Sequence, residues 1–344
     1  VTTPTSPVAG RATGIGSWPG ADIGEAVSTV IGELPDLPHV VELPARGLGA
    51  DTVGRTGALL VDLDLDVSTT GYRLAAGRNG TARRARDLLA EDLDVLEEKW
   101  ELAGLRGAGR TVKVQAAGPF TLAAEVELAR GRRVLTDRGA ARDVAESLAE
   151  GVAAHADEVA RRLEADVVVQ LDEPQLAAVL GGTLTGQTSL ERVPAVPAPE
   201  VVDRLAGVLN RIGRPVVLHT CAEDVPFEVF GRAGVHAVAF DLALVRPGRY
   251  DAVGDFIDGG GVAVLGILSG TDPAPGAREP GWKDAARPAV ELIDRLGFPR
   301  SVLTDRVAVS PACGLAGASA GWARRALTVV RDVATAFAED PAAL

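Results

Sequence analysis

Methionine is absent from the 344 residues, aromatic side chains make up only 4%, and lysine occurs at just Lys99, Lys113 and Lys283. With so few rings, Val, Leu and Ala must fill the core, and the hydrophobic fraction of 47% is ample for that. Scarce lysine and a net charge of -12 argue against nucleic acid or an anionic membrane as partner, because both need clustered Lys and Arg. The pairs Arg83-Arg84 and Arg161-Arg162 read as solvated helix faces. No apolar run is long enough to cross a bilayer. The Thr/Pro/Ser-rich stretch 1–10 lacks the apolar core of a secretory signal. A cytoplasmic location is therefore expected, with residues 1–12 as a flexible tail. The two cysteines, Cys221 and Cys313, are not expected to form a structural disulfide in a reducing compartment.

Eight short apolar or β-branched runs recur along the chain: 13–18, 39–44, 111–118, 167–174, 215–221, 237–242, 262–268 and 306–315. Most are nearly continuous, as strands covered on both faces should be. The segments between them show helical spacing. Leu89, Leu93, Leu96 and Trp100 form one stripe, and Val144, Leu148, Val152, Val159 and Leu163 form another. Strands alternating with helices imply a parallel sheet. Eight such units in one chain imply a single (β/α)8 barrel domain over 1–344 rather than an open sheet. No Gly-rich dinucleotide fingerprint follows the first run. A loop or hairpin is expected near 65–74, and loops at 181–199 and 270–281.

In such a barrel the active site lies at the carboxyl ends of the strands. Polar residues collect there: Gly16 and Ser17 after the first, Asp172 and Glu173 after the fourth, His219 and Cys221 after the fifth, Asp241 after the sixth, and Cys313 after the eighth. Side chains two apart on a strand share a face, so His219 and Cys221 can aim at one point. Cys313 and Asp241 can reach the same point. One imidazole, two thiolates and a carboxylate make a tetrahedral zinc shell, and sulfur ligands exclude magnesium and calcium. Glu223 is a second candidate for the carboxylate. The plain alternative is a buried histidine beside two inert core thiols. His39, His155 and His236 read as structural or solvated, and Gly259-Gly260-Gly261 as a tight turn, because a strand follows it rather than a helix.

Five stretches resemble the catalytic C-terminal barrel of the cobalamin-independent methionine synthase family: Ile15-Gly16-Ser17-Trp18-Pro19, Gly118-Pro119-Phe120-Thr121, Leu171-Asp172-Glu173-Pro174, Leu218-His219-Thr220-Cys221 and Pro311-Ala312-Cys313-Gly314-Leu315. They occur in the family's order and span nearly the whole chain. The resemblance implies zinc on His219, Cys221 and Cys313, with Asp241 where the family carries a longer glutamate. It implies homocysteine held by the backbone of Ile15, Gly16 and Ser17 and by Asp172. A further acidic contact of the family aligns loosely with Asp51.

Other positions depart from the family. Leu268 stands where it has a proton-donating histidine, and Glu125 and Ala178 where it holds the pterin. The other half of the full-length enzymes has no counterpart here, as in the short stand-alone members. The thiol half of the site is thus kept and the methyl-donor half is not, which implies a corrinoid or corrinoid protein as donor rather than a folate. The expected function is zinc-dependent methyl transfer to homocysteine. Three rivals stand beside it: a zinc methyltransferase for another thiol, a metal-free uroporphyrinogen-decarboxylase-like enzyme needing clustered Arg, and a non-catalytic protein that binds a thiol or methionine.

Overall fold

The computed structural model describes residues 6–186, 188 and 190–344. Nine strands occur among them: β1 (Leu65–Val67), β2 (Tyr72–Leu74), β3 (Thr111–Ala117), β4 (Val126–Glu127), β5 (Asp166–Asp172), β6 (Val216–Thr220), β7 (Ala237–Asp241), β8 (Val262–Leu268) and β9 (Val307–Pro311). Six of them form a curled, wholly parallel sheet in the order β3-β5-β6-β7-β8-β9. These are the third to eighth runs of the sequence pattern. Of the loop or hairpin expected near 65–74, the structure shows a hairpin: β1 pairs antiparallel with β2, which in turn takes β4 in parallel.

The first two runs do not form regular strands, and this corrects the expectation of eight. They meet the sheet through isolated bridges. Thr13 N–H donates to Val309 O (3.0 Å), and Val40 N–H donates to Lys113 O (2.8 Å). The two runs are joined to each other by Trp18 N–H to Glu42 O (2.8 Å) and Glu42 N–H to Gly16 O (3.2 Å). Glycine and proline interrupt longer pairing here. Gly16 has φ 151°, and a Cβ on Gly14 would overlap the His39 ring. The expected flexible tail, residues 1–12, falls only partly within the described residues. Val8 is fully buried and Gly10 N–H donates to Val307 O at 2.7 Å, so residues 8–12 are packed; residues 1–5 lie outside the described ones, as do 187 and 189 of the expected loop 181–199.

Period-two alternation divides the core. Val112, Val114, Val167, Val169, Leu171, Val216, Leu218 and Val238 face the surrounding helices and belong to the main cluster. The largest of those helices are Gly80–Leu102, Arg138–Leu163, Ala198–Ile212, Trp282–Arg295 and Ala320–Glu339. Each buries an apolar stripe; in Arg138–Leu163 it contains the Val144, Leu148, Val152, Val159 and Leu163 of the sequence pattern. Side-chain caps at Asn79, Asp137 and Ser319 satisfy amides at three helix starts. The opposite, concave face of the sheet forms a separate small cluster of Val8, Leu37, Val168, Val217, Ala237, Ala239, Val262, Val264 and Ala308. Following that face toward the carboxyl ends of the strands, apolar residues give way to Gln170, Asp172, His219, Cys221 and Asp241. The site begins where the inner packing stops. No described helix is long and apolar enough to cross a membrane.

Candidate metal centre

β5 and β6 pair in parallel with Asp172 opposite His219, so these inward side chains stand side by side. His219 Nδ1 lies 2.7 Å from Asp172 Oδ1. A carboxylate only accepts, so Nδ1 carries the proton and Nε2 is left as a lone-pair donor. Nε2 is 3.4 Å from Cys221 Sγ, one residue beyond β6. Cys221 Sγ is in turn 2.8 Å from Cys313 Sγ, in the turn after β9. The ligand atoms of His219, Cys221 and Cys313 all fall within 4.8 Å of one another, a group able to hold a metal ion. An imidazole oriented by a carboxylate behind it is the usual outer support of a metal-binding histidine.

The turn bearing Cys313 is held by the first run. Ser17 O accepts from Leu315 N–H at 2.9 Å, and a Cβ on Gly314 would overlap Ser17 Oγ. Glycine is needed there for close approach, which brings Ile15–Ser17 to the edge of the cluster.

The charges are those of a metal-ready site. Burial opposes a proton on His219, but the hydrogen bond and charge of Asp172 outweigh it and raise the imidazole above its ordinary value. Cys221 donates its thiol proton to Cys313. That contact, with burial, pushes Cys221 up; the same contact, reinforced by nearby His219, draws Cys313 down to about 6. The contact thus favours the thiolate form of Cys313 over that of Cys221.

The remaining expected residues fall into place unevenly. Asp241 ends β7, but its Oδ1 accepts from Ala243 N–H (2.9 Å) and it is not part of the three-ligand group. It is near enough for its charge to raise Cys221. Glu223 is exposed and also outside the group. Asp51 caps the helix Thr52–Leu59 through Gly54 N–H and accepts the Tyr72 hydroxyl, so both its oxygens are engaged in holding structure. Leu268 is buried at the end of β8. Glu125 accepts from Gln175 Nε2 at 2.6 Å, and Ala178 lies in the helix Leu176–Gly181.

The sequence reading passed over Glu42. It is 3% exposed, and burial holds its carboxyl up at about 7, with the charge of Asp172 adding to that and Arg55 opposing it. The signal was available: it is an acidic residue in an apolar stretch. Glu173, adjacent to Asp172 in sequence, does something different. It is fully buried and accepts from Phe120 N–H (2.9 Å), Thr121 N–H (2.8 Å) and Thr121 Oγ (2.8 Å), capping the helix Pro119–Glu125. A Cβ on Gly118 would overlap its carboxylate. The Gly-Pro-Phe-Thr and Asp-Glu-Pro stretches are thus two halves of one contact.

The His-Cys-Cys cluster thus lies at the carboxyl ends of the parallel strands, where α/β folds hold their active sites. The family described as "Cobalamin-independent synthase, Catalytic domain" matches residues 11–336, and the chain belongs to it, which makes it a methyltransferase. No curated relative matches its sequence. Among solved structures, it is similar in fold to a B12-independent methionine synthase from Shewanella sp. W3-18-1 in complex with selenomethionine. That match has a TM-score of 0.61 at 12% identity and covers 98% of this chain and all of the other. It is also similar to a methyltransferase from Methanosarcina mazei, with a TM-score of 0.57 at 14% identity, covering 98% of this chain and 94% of that one.

Proposed function

We propose that this protein is a zinc-dependent methyltransferase that methylates the thiol of homocysteine to give methionine. The observation that carries the proposal is the convergence of His219 Nε2 and two cysteine sulfurs within 4.8 Å, with Asp172 fixing the imidazole from behind. A nitrogen and two sulfurs fit zinc and suit neither magnesium nor calcium. His219, Cys221 and Cys313 would hold it, and Asp241, whose charge reaches Cys221, would complete the set. When bound, zinc lowers the pKa of a coordinating thiol so that it is deprotonated and nucleophilic at neutral pH. We further infer that the six-stranded sheet and the two bridging runs together make an eight-position (β/α)8 barrel in one domain.

The chain's own residues supply binding and orientation. Asp172 offers carboxylate charge at the inner end of the site, where an amino-acid ammonium would find a charge-assisted hydrogen bond, and the ammonium would favour the charged form of Glu42 beside it. Glu42 suits this role better than Asp51, whose oxygens are already engaged. The backbone at Ile15–Ser17 lies alongside the Cys313 turn and would hold the rest of the amino acid. In the transfer, the substrate sulfur forms a bond to the methyl carbon as the bond from that carbon to its donor breaks, and the donor leaves with the electron pair. A folate amine leaves poorly unless protonated, and Leu268 offers no proton. A corrinoid needs none, so the donor is a corrinoid, free or carried on a protein.

Metal analysis and a methyl-transfer assay test this together. The expected result is about one zinc per chain and methionine formed from homocysteine and methylcobalamin, with methyltetrahydrofolate triglutamate a poor donor. A folded, zinc-free protein whose Cys221→Ser variant behaves identically would overturn the metal assignment. Turnover on the folate on the order of 1 s⁻¹, with none on methylcobalamin, would overturn the donor.

A further inference from the structure

Neither the metal cluster nor the substrate contacts account for Lys113. It sits mid-strand in β3, fully buried. Holding an ammonium there costs several kcal/mol, roughly, unless charges and hydrogen bonds compensate. Its Nζ donates to Ile15 O at 3.2 Å and to Gln170 Oε1 at 2.5 Å. Gln170, itself 1% exposed, donates from Nε2 to the same Ile15 O at 2.8 Å and to Asp172 Oδ1 at 2.8 Å. That carboxylate oxygen also meets His219 Nδ1.

The direction of this path is fixed by chemistry. An ammonium can only donate and a carboxylate can only accept. The Gln170 amide must therefore turn its oxygen to Lys113 and its NH2 to Asp172. A reversed amide would face donor against donor at one end and acceptor against acceptor at the other. The charges of Asp172 and Glu42 favour the ammonium, although burial draws Lys113 down to about 7. His39, on the neighbouring bridge, stays neutral: burial lowers its imidazole to about 3, and Lys113 adds to that.

We propose that Lys113 is a positioning residue: through Gln170 it orients the Asp172–His219 pair, and through Ile15 it locks the substrate-holding run to that pair. The metal part rests on the zinc reading above; the orientation of His219 does not. A purely structural lysine predicts that its replacement by an apolar side chain of similar volume changes fold stability at most and leaves the His219 ring and the zinc affinity as in wild type.

The test compares wild type with Lys113→Met, and with Gln170→Leu, which cuts the same path while leaving the lysine. With only four histidines in the chain, nitrogen NMR on metal-free, histidine-labelled protein resolves the His219 ring, assigned by its loss in His219→Ala. At a pH above its raised titration, where the ring is neutral, wild type should show one form protonated at Nδ1, and both variants a mixture of the two tautomers. Zinc affinity by chelator competition should fall about 10–100-fold in each, the range for outer-shell partners, with thermal stability unchanged or higher in Lys113→Met. Wild-type ring signals and wild-type zinc affinity in Lys113→Met would overturn the proposal; should that variant not fold, the same result in Gln170→Leu would do so. A wild-type protein that takes up no zinc would count against the proposed function, while the metal-free spectra would still decide the role of Lys113.

Discussion

Removing the Glu173 carboxylate should damage the fold and spare the chemistry. The residue is fully buried and faces three donors: two backbone amides at the start of the helix Pro119–Glu125 and the Thr121 hydroxyl. Truncation to Ala strips all three of their acceptor. Each buried, unsatisfied donor costs about 1–3 kcal/mol. The space vacated is polar and can admit a water that restores part of the loss, so a net destabilisation of about 3–5 kcal/mol is expected for Glu173→Ala. Glu173→Gln keeps the shape and one acceptor oxygen but turns an NH2 toward a donor, and should cost about 1–3 kcal/mol. Denaturant unfolding at pH 7 measures both. Their pH dependence adds a second check. Burial holds the carboxyl up at about 7, from an ordinary 4.5. Between those values the folded protein keeps a proton that the unfolded chain has lost, so this group's contribution to stability falls as pH rises through the window. Glu173→Gln should abolish that part of the slope. A loss below about 1 kcal/mol in Glu173→Ala, or equal losses in both variants, would refute the capping role.

Asp172→Asn should weaken homocysteine binding, read by calorimetry on zinc-loaded protein, by about 1.5–3 kcal/mol, the range for hydrogen bonds to charged groups; unchanged affinity would remove Asp172 from the substrate site. His39 and His155 are buried, and burial first, then a neighbouring cation, lowers each from 6.5 to about 3. Their stabilising contribution is complete above 6.5 and is lost as pH falls toward 3, so His155→Gln should flatten the acid limb of a stability–pH curve. Gly14→Ala should cost about 1–3 kcal/mol through overlap with the His39 ring, seen as a lowered denaturation midpoint.

The six parallel strands and the hairpin were legible because long apolar runs bounded by turn residues leave little else for the chain to do. The two runs that only bridge the sheet have similar composition. What separates them is glycine and proline, whose effect on pairing depends on neighbours that no sequence pattern supplies. His219, Cys221 and Cys313 were found because cysteine is rare and strand ends converge. Asp172 was placed at the site, but its bond to His219 was not foreseen, since it depends on the register between β5 and β6. Lys113 was invisible for another reason. A single cation in an apolar run reads as an interruption until Gln170 and Ile15 are seen beside it. Asp51 is ambiguous in sequence because a carboxylate before a helix serves equally as a cap or a ligand; in the structure both its oxygens are engaged.

The packing of Val8 against Val217, Val264 and Ala308, with Gly10 bonded to Val307, has a consequence for biogenesis. A segment made long before β9 completes a core to which β9 itself contributes. Until then, the inner apolar face of the growing sheet and the edge later met by β9 stand open to solvent and to other nascent chains. Contacts of such sequence separation form slowly, and incomplete parallel sheets with open edges are prone to aggregate. Expression of this chain should therefore depend on chaperones that shield the partial sheet, and a shortened chain ending before β9 should accumulate as aggregate rather than as a smaller folded domain.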